Sequence, residues 1–203
     1  MSENAAVFSA SRKFTVPILS GSRKTCTVRF PTDQEWCERS RRQRSIRRFL
    51  GRGKSEAENL DSSQADLDLF DRIRVDDGAD TFDGPEAALV LAKLERTSVE
   101  ACEREGDNFR LALKVPGALT EHLVRIPTRK EMDVHEAASV KVTGQRRAQE
   151  IRGFLEPSGA LYDSILKENS GYEGPVPIVH KVSIVSEVLS AVAQDEEDPI
   201  PEA

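Results

Sequence analysis

An α+β fold built from two related β-hairpin-plus-helix units, with additional helices, is what the sequence predicts, and three observations predict it. The phrase VRFPTDQE at residues 28–35 returns as VRIPTRKE at residues 124–131, ninety-six positions later. Before each copy, apolar residues alternate around a glycine-containing turn, the pattern of a hairpin with one buried face. After each copy the periodicity becomes helical. A chain of 203 residues can form one large or two small domains, and the repeat favours two half-size units.

In the first unit, residues 12–54, Phe14, Val16 and Ile18 precede Ser20-Gly21-Ser22, and Cys26, Val28 and Phe30 follow at alternate positions. Pro17 cannot donate to a strand ladder, which marks an edge strand. The corner PTxxE has a physical job. Proline ends the strand, Thr32 takes the helix N-cap, and Glu35, three residues on, reaches back to the amide of the cap, forming a capping box. A helix is expected from Asp33 to about Leu50, stopped by Gly51-Arg52-Gly53. Residues 55–108 read as an acidic linker and helical segment. Within it lie an exposed stretch at 55–65, a short helix around Leu67, Phe70 and Ile73, and an acidic loop over Asp76–Gly84. A helix opened by Asp83 and Pro85 then carries Leu89, Val90, Leu91 and Leu94 to about Cys102.

The second unit, residues 109–194, repeats the hairpin with Phe109, Leu111 and Leu113 before Pro116-Gly117, and Val124 and Ile126 after it. Thr128 and Glu131 repeat the capping box. Helices are expected around Val134, Ala137 and Ala138, from Ala148 to Leu155 with a break at Pro157, and over Leu161–Leu166. A last one runs from Pro175 to about Ala193, with Ile178, Val182, Val185, Leu189 and Val192 on one stripe. Residues 195–203, DEEDPIPEA, read as a disordered acidic tail.

Hydrophobic residues make up 38% and charged ones 32%, so the composition is that of a surface-rich soluble protein. There is no run of eighteen apolar residues and no charged-then-apolar leader, which disfavours membrane spanning and secretion. Three cysteines without a CxxC point to reduced thiols in a cytosolic setting. The net charge of −6 conceals an asymmetry: residues 12–54 hold thirteen Lys or Arg against three acids, and residues 55–108 hold sixteen acids against five bases. Neighbouring blocks of opposite sign attract one another, so the basic block does not by itself require an anionic partner.

The run ERSRRQRSIRRFLGRGK places Arg39, Arg41, Arg42, Arg44, Arg47, Arg48, Arg52 and Lys54 within sixteen positions. On a helix over 36–54 they would cover almost every face with guanidinium, a group that grips carboxylates and phosphates bidentately. Three readings are open: a solvated or internally paired helix, a protein-binding surface, and a nucleic-acid contact. The acidic balance of the chain and the lack of interleaved aromatics weigh against the last. GRGKS at 51–55 matches only the end of a P-loop, because Arg48 stands where that pattern needs glycine, and a helix C-cap is the ordinary account. Asp76–Gly84 lacks the alternating ligands and closing glutamate of a calcium loop, so a solvated acidic loop is expected. His122, His135 and His180 are far apart, with no HExxH or GxSxG pattern to organise them. No catalytic, cofactor-binding or metal residue is therefore predicted.

VRFPTDQEWCERSRRQRSIRRFLGRGKS resembles a phrase in proteins encoded beside the tail genes of tailed bacteriophages and prophages. The hairpin-then-helix plan is similar to that of small phage tail assembly proteins, including tail assembly chaperones. The resemblance covers residues 14–55, with an echo at 109–140. It implies a non-enzymatic role in tail assembly, or as a minor structural protein, through protein–protein binding. The implied partners are tube or tape-measure polypeptides or further copies of the chain, in the host cytoplasm or on the virion. The alternative is a cytosolic nucleic-acid-binding protein using the arginine-rich helix 36–54.

Overall fold

The computed structural model describes residues 8, 11–17, 23–51, 54–60, 62–143, 148–151 and 154–197, and across them one chain path is traced twice. The first pass begins with the hairpin β1 (Arg12–Pro17) and β2 (Arg23–Val28), then α1 (Asp33–Arg42). A second hairpin follows, β3 (Arg44–Gly51) with β4 (Lys54–Leu60), then α2 (Ser62–Ile73). After α2 the chain returns across β2 through an Arg74–Val28 bridge and continues into α3 (Gly84–Glu95). Strand β5 (Ser98–Glu105) links the passes.

The second pass has the hairpin β6 (Asn108–Val115) and β7 (Ala118–Arg125), α4 (Arg129–Ser139), the hairpin β8 (Val140–Thr143) and β9 (Ala148–Ile151), and α5 (Leu155–Ile165). Strand β10 (Leu166–Ser170) then returns across β7 with Leu166 opposite Val124, and α6 (Ile178–Glu197) closes the pass. The sheets are β1-β2, β10-β7-β6-β5 and β4-β3-β9-β8, antiparallel throughout. The fold is α+β, two related hairpin-plus-helix units with additional helices.

The Pro-Thr corners have the same internal geometry in both units. Thr32 Oγ1 accepts from Glu35 N while Glu35 Oε2 accepts from Thr32 N at 2.9 Å, and Thr128 and Glu131 repeat this, again with 2.9 Å for the return bond. The arginine of each VR pair clasps the glutamate of its box. Arg29 reaches Glu35 at 2.6 and 2.8 Å, and Arg125 reaches Glu131 at 2.5 and 2.8 Å. Each guanidinium also donates to a carbonyl near the end of the next helix, that of Arg72 in one unit and of Ser164 in the other. This clasp makes the repeated phrase a joint that ties hairpin, first helix and second helix together.

Each unit has its own core. Val16, Cys26, Val28, Trp36, Phe70, Ile73, Val90, Leu91 and Leu94 fill the first; Leu111, Leu113, Val124, Tyr162, Ile165, Ile184, Val185 and Val188 fill the second. Position by position, Val28 answers to Val124, Phe70 to Tyr162, Ile73 to Ile165 and Leu94 to Val188.

Five sequence expectations are corrected. The arginine-rich helix 36–54 does not form: α1 ends at Arg42, β3 and β4 form a hairpin, and the expected linker at 55–65 is taken up by β4 as far as Leu60 and by α2 from Ser62. Gly51 ends β3 opposite Lys54 rather than stopping a helix, and the register sets Arg48 opposite Glu56, a favourable position for unlike charges. The helix from Asp83 ends at Glu95, and the residues around Cys102 pair with β6. Ala148–Ile151 is a strand, and Pro157 lies in the first turn of α5, where a missing N–H costs nothing. Residues 195–197 of the expected acidic tail belong to α6. The turn at Ser20-Gly21-Ser22 lies outside the described residues, as do Ile18 and residues 198–203.

The acidic loop Asp76–Gly84 is stitched to the first hairpin, not merely solvated. Asp76 accepts from Thr27 N and from Arg74 Nε, and Asp80 Oδ2 accepts from Thr25 N at 3.2 Å. The carboxylates thus satisfy amides on the β2 edge that no named strand among the described residues covers.

Candidate protein-binding surface

The two units have equivalent grooves between their first and second helices, and the chemistry of the two grooves has diverged. In the first unit, α1 and α2 bound a groove of about 260 Å³ lined by Glu38, Arg39, Arg42, Asp68 and Arg72. The groove is laced by ion pairs: Arg39 Nε to Asp66 Oδ1 at 2.6 Å, Arg42 to Asp68 at 2.5 Å, and Arg72 to Glu38 at 2.6 Å. Arg39 also pairs with Glu95, and Gln43 adds a bond to Asp66 at 2.6 Å. The Arg39 side chain is 12% exposed and that of Asp66 8%, so this pair is close to buried.

In the second unit the same positions carry Val134, His135, Ala138, Ala160 and Ser164, and α4 and α5 bound a groove of about 540 Å³. Where Arg39 meets Asp66, His135 Nε2 meets Ser158 Oγ at 3.0 Å. Val134 is 62% exposed at the groove wall. The second groove is therefore wider, mostly apolar and open, whereas the first is filled with its own charge.

The basic residues that the sequence singles out fall on different elements. Arg39, Arg41 and Arg42 lie on α1 and each pairs with a carboxylate of this chain, Arg41 with Glu156. Arg44, Arg47 and Arg48 are spaced along β3 and Lys54 opens β4. Arg52 lies outside the described residues.

The units meet at a joint made by α1 and β3 of the first against α5, α6 and β9 of the second. Phe30, Trp36 and Cys37 pack with Leu155, Ile178 and Val179, and Asp33 Oδ1 accepts from Ile178 N at 2.9 Å, capping α6. Strand β3 pairs with β9, Ser45 opposite Ile151 and Arg47 opposite Gln149.

A buried polar network, which sequence spacing gave no reason to expect, lies in the second unit. His122 Nδ1 bonds Tyr162 Oη at 2.8 Å, Thr120 Oγ1 lies 3.2 Å from His122 Nε2 and 3.3 Å from Tyr172 Oη, and Tyr172 Oη lies 3.2 Å from His180 Nδ1. Burial holds both histidines well below the usual imidazole range, at about 4, and pushes the Tyr162 and Tyr172 phenols up, the latter to about 12. The equivalents of His122 and Tyr162 in the first unit are Cys26 and Phe70, so the network replaces an apolar contact. Both imidazoles are inaccessible, which makes them framework groups. Among the described residues no group of three or more His, Cys, Asp or Glu side chains is placed to hold a metal ion, and no helix is long and apolar enough to cross a membrane.

Comparison with protein-family models, curated proteins and solved structures finds no match.

Proposed function

We propose that this chain is a non-enzymatic phage or prophage tail assembly protein, or a minor structural protein of the tail, acting by protein–protein binding. The observation that carries the reading is the combination of open sheet edges at β4 and β8 with an unfilled apolar groove at Val134, Ala138 and Ala160, two surfaces suited to gripping polypeptide. The phrase at residues 14–55 supplies the tail association. An extended segment of a tube or tape-measure protein would pair with an edge, and an apolar side chain or helix would enter the groove.

Co-expression with the products of adjacent tail genes tests this. The expected result is a stable complex that Val134→Asp weakens while the melting temperature is kept. Absence of any complex, together with a metabolic gene neighbourhood, contradicts the reading.

A second reading, nucleic-acid binding, is favoured by Arg44, Arg47 and Arg48 standing on one strand next to Lys54 on its neighbour. It would be a two-stranded ribbon contact in place of the expected helix. Binding would fall steeply with salt and be indifferent to base sequence. A gel-shift series without binding at low ionic strength removes it.

A further inference from the structure

The order β4-β3-β9-β8 describes a joint that is used once and is available again. Strands β3 and β8 are equivalent, each following the first helix of its unit, and β4 and β9 are equivalent, each leading into the second helix. Inside the chain the first strand of one hairpin pairs with the second strand of the other. The two edges joined are of different kinds, so the joint is head to tail, and among the described residues no strand pairs with the edge of each kind left at the ends of the sheet. The free edge on β8 is of the β3 kind, and the free edge on β4 is of the β9 kind.

We propose that copies of this chain associate head to tail, the β8 edge of one copy pairing antiparallel with the β4 edge of the next. Counting back from the second helices, in which Phe70 answers to Tyr162, makes Ile151 equivalent to Asn59, although the hairpins differ by one residue in register, Ser45 facing Asn59 and Lys141 facing Glu150. On that basis the Ser45–Ile151 and Ile46–Glu150 register sets Lys141 opposite Asn59 and Val142 opposite Glu58 of the neighbouring copy. The flanking helices repeat as well. Helix α1 packs on α5 and α6 at the internal joint, so α4 would face α2 and α3 of the next copy. The helical part of that contact is the weaker one. Where the internal joint buries Trp36 and Cys37, α4 presents Met132, half-buried, and Asp133, exposed and paired with Arg129 at 3.2 Å. Main-chain pairing therefore carries the association, and the assembly is reversible with concentration, whereas the internal joint is permanent. The inference rests on the binding reading in making a second copy one of the partners, yet it needs no tail protein to operate.

The full chain is studied by sedimentation velocity over a range of concentration. The expected result is a series of species growing with concentration, lost in Val142→Pro and in Glu58→Pro while far-UV circular dichroism is retained. An equimolar mixture of these two variants, each keeping one intact edge of opposite kind, gives dimers and nothing larger. In a Cys102→Ser background, mixing the Val142→Cys chain with the Glu58→Cys chain gives a disulfide-linked heterodimer on oxidation, since facing strand residues are within disulfide reach. This second measurement does not depend on proline being tolerated. A monomer at every concentration, or Val142→Cys chains linking efficiently to each other, overturns the proposal. Self-association with no tail-protein complex would contradict the tail reading alone, and a tail-protein complex formed by a strict monomer would contradict the head-to-tail joint alone.

Discussion

The two units share a joint and differ in what surrounds it. Arg29–Glu35 and Arg125–Glu131 have the same geometry, the same capped threonine and the same reach to the following helix. Around them Trp36 becomes Met132, the Arg39–Asp66 pair becomes His135–Ser158, and the Cys26–Phe70 pairing becomes His122–Tyr162. The first unit spent its α1 face on holding the second, and ion pairs fill its groove. The second unit kept α4 exposed and its groove apolar, and placed a hydrogen-bonded polar network in its core. The corner is thus the mechanical element that the two units share, and the helix faces are where they differ.

The largest expected effect that separates the units is acid sensitivity. His122 and His180 are buried neutral, with folded pKa values of about 4 against an ordinary value near 6.5. The unfolded chain binds their protons first, so stability is full above that ordinary value and falls as pH drops through the window down to about 4. The slope is about 1.4 kcal/mol per pH unit for each histidine. Fluorescence and amide exchange during acidification should show the second core loosening before the first. Simultaneous loss of both cores, or His122→Phe leaving the profile unchanged, would break the contrast.

Next in size is the internal joint. Trp36→Ala should cost about 3–5 kcal/mol in urea unfolding, through the cavity it leaves, whereas Met132→Ala, its half-buried equivalent, should cost about 1 kcal/mol or less. Equal costs would mean that α4 is covered as α1 is. Arg39→Ala should cost about 3 kcal/mol, because Asp66 is left with its charge nearly buried. His135→Ala removes a neutral hydrogen bond and should cost about 1 kcal/mol.

The smallest difference is expected at the clasps. Arg29→Met and Arg125→Met should each cost on the order of 1 kcal/mol, discounted for their part exposure, and the two should agree closely. The arginine holds the Glu35 carboxyl at about 2 and the Glu131 carboxyl well below the usual carboxylate range. That contribution is present above about pH 4.5 and is lost only as pH falls towards the lowered values, below the histidine window.

The parts of the fold legible in the sequence are those determined within a few residues. Both first hairpins, both capped corners and helices α2, α3 and α6 follow from alternation, cap residues and apolar stripes. The β3–β4 hairpin was not legible, because Gly51 and its neighbours fit a helix stop as well as a hairpin turn. What decides between them is pairing with β9, a strand about a hundred residues away. Pro157 was ambiguous for a similar reason, since a proline that breaks one helix opens another equally well. Of the candidate site, the basic run was visible, but its pairing with Asp66, Asp68, Glu95 and Glu156 depends on tertiary placement. The apolar groove could have been suspected by aligning the two units. Val134, Ala138 and Ala160 stand where the first unit has Glu38, Arg42 and Asp68, and a charge lost at three aligned positions is a signal. The histidine network had none, for its members come from β7, α5, α6 and the segment at Tyr172.

Whether one unit plan really occurs twice is tested most directly by backbone NMR of the full chain over residues 44–60 and 140–151. Cross-strand contacts between 45 and 59, and between 45 and 151, are predicted, with an antiparallel pairing one residue out of that register linking 141 to 150. Sequential contacts of helical spacing running from Asp33 through Leu50, with none between 45 and 151, would contradict the account.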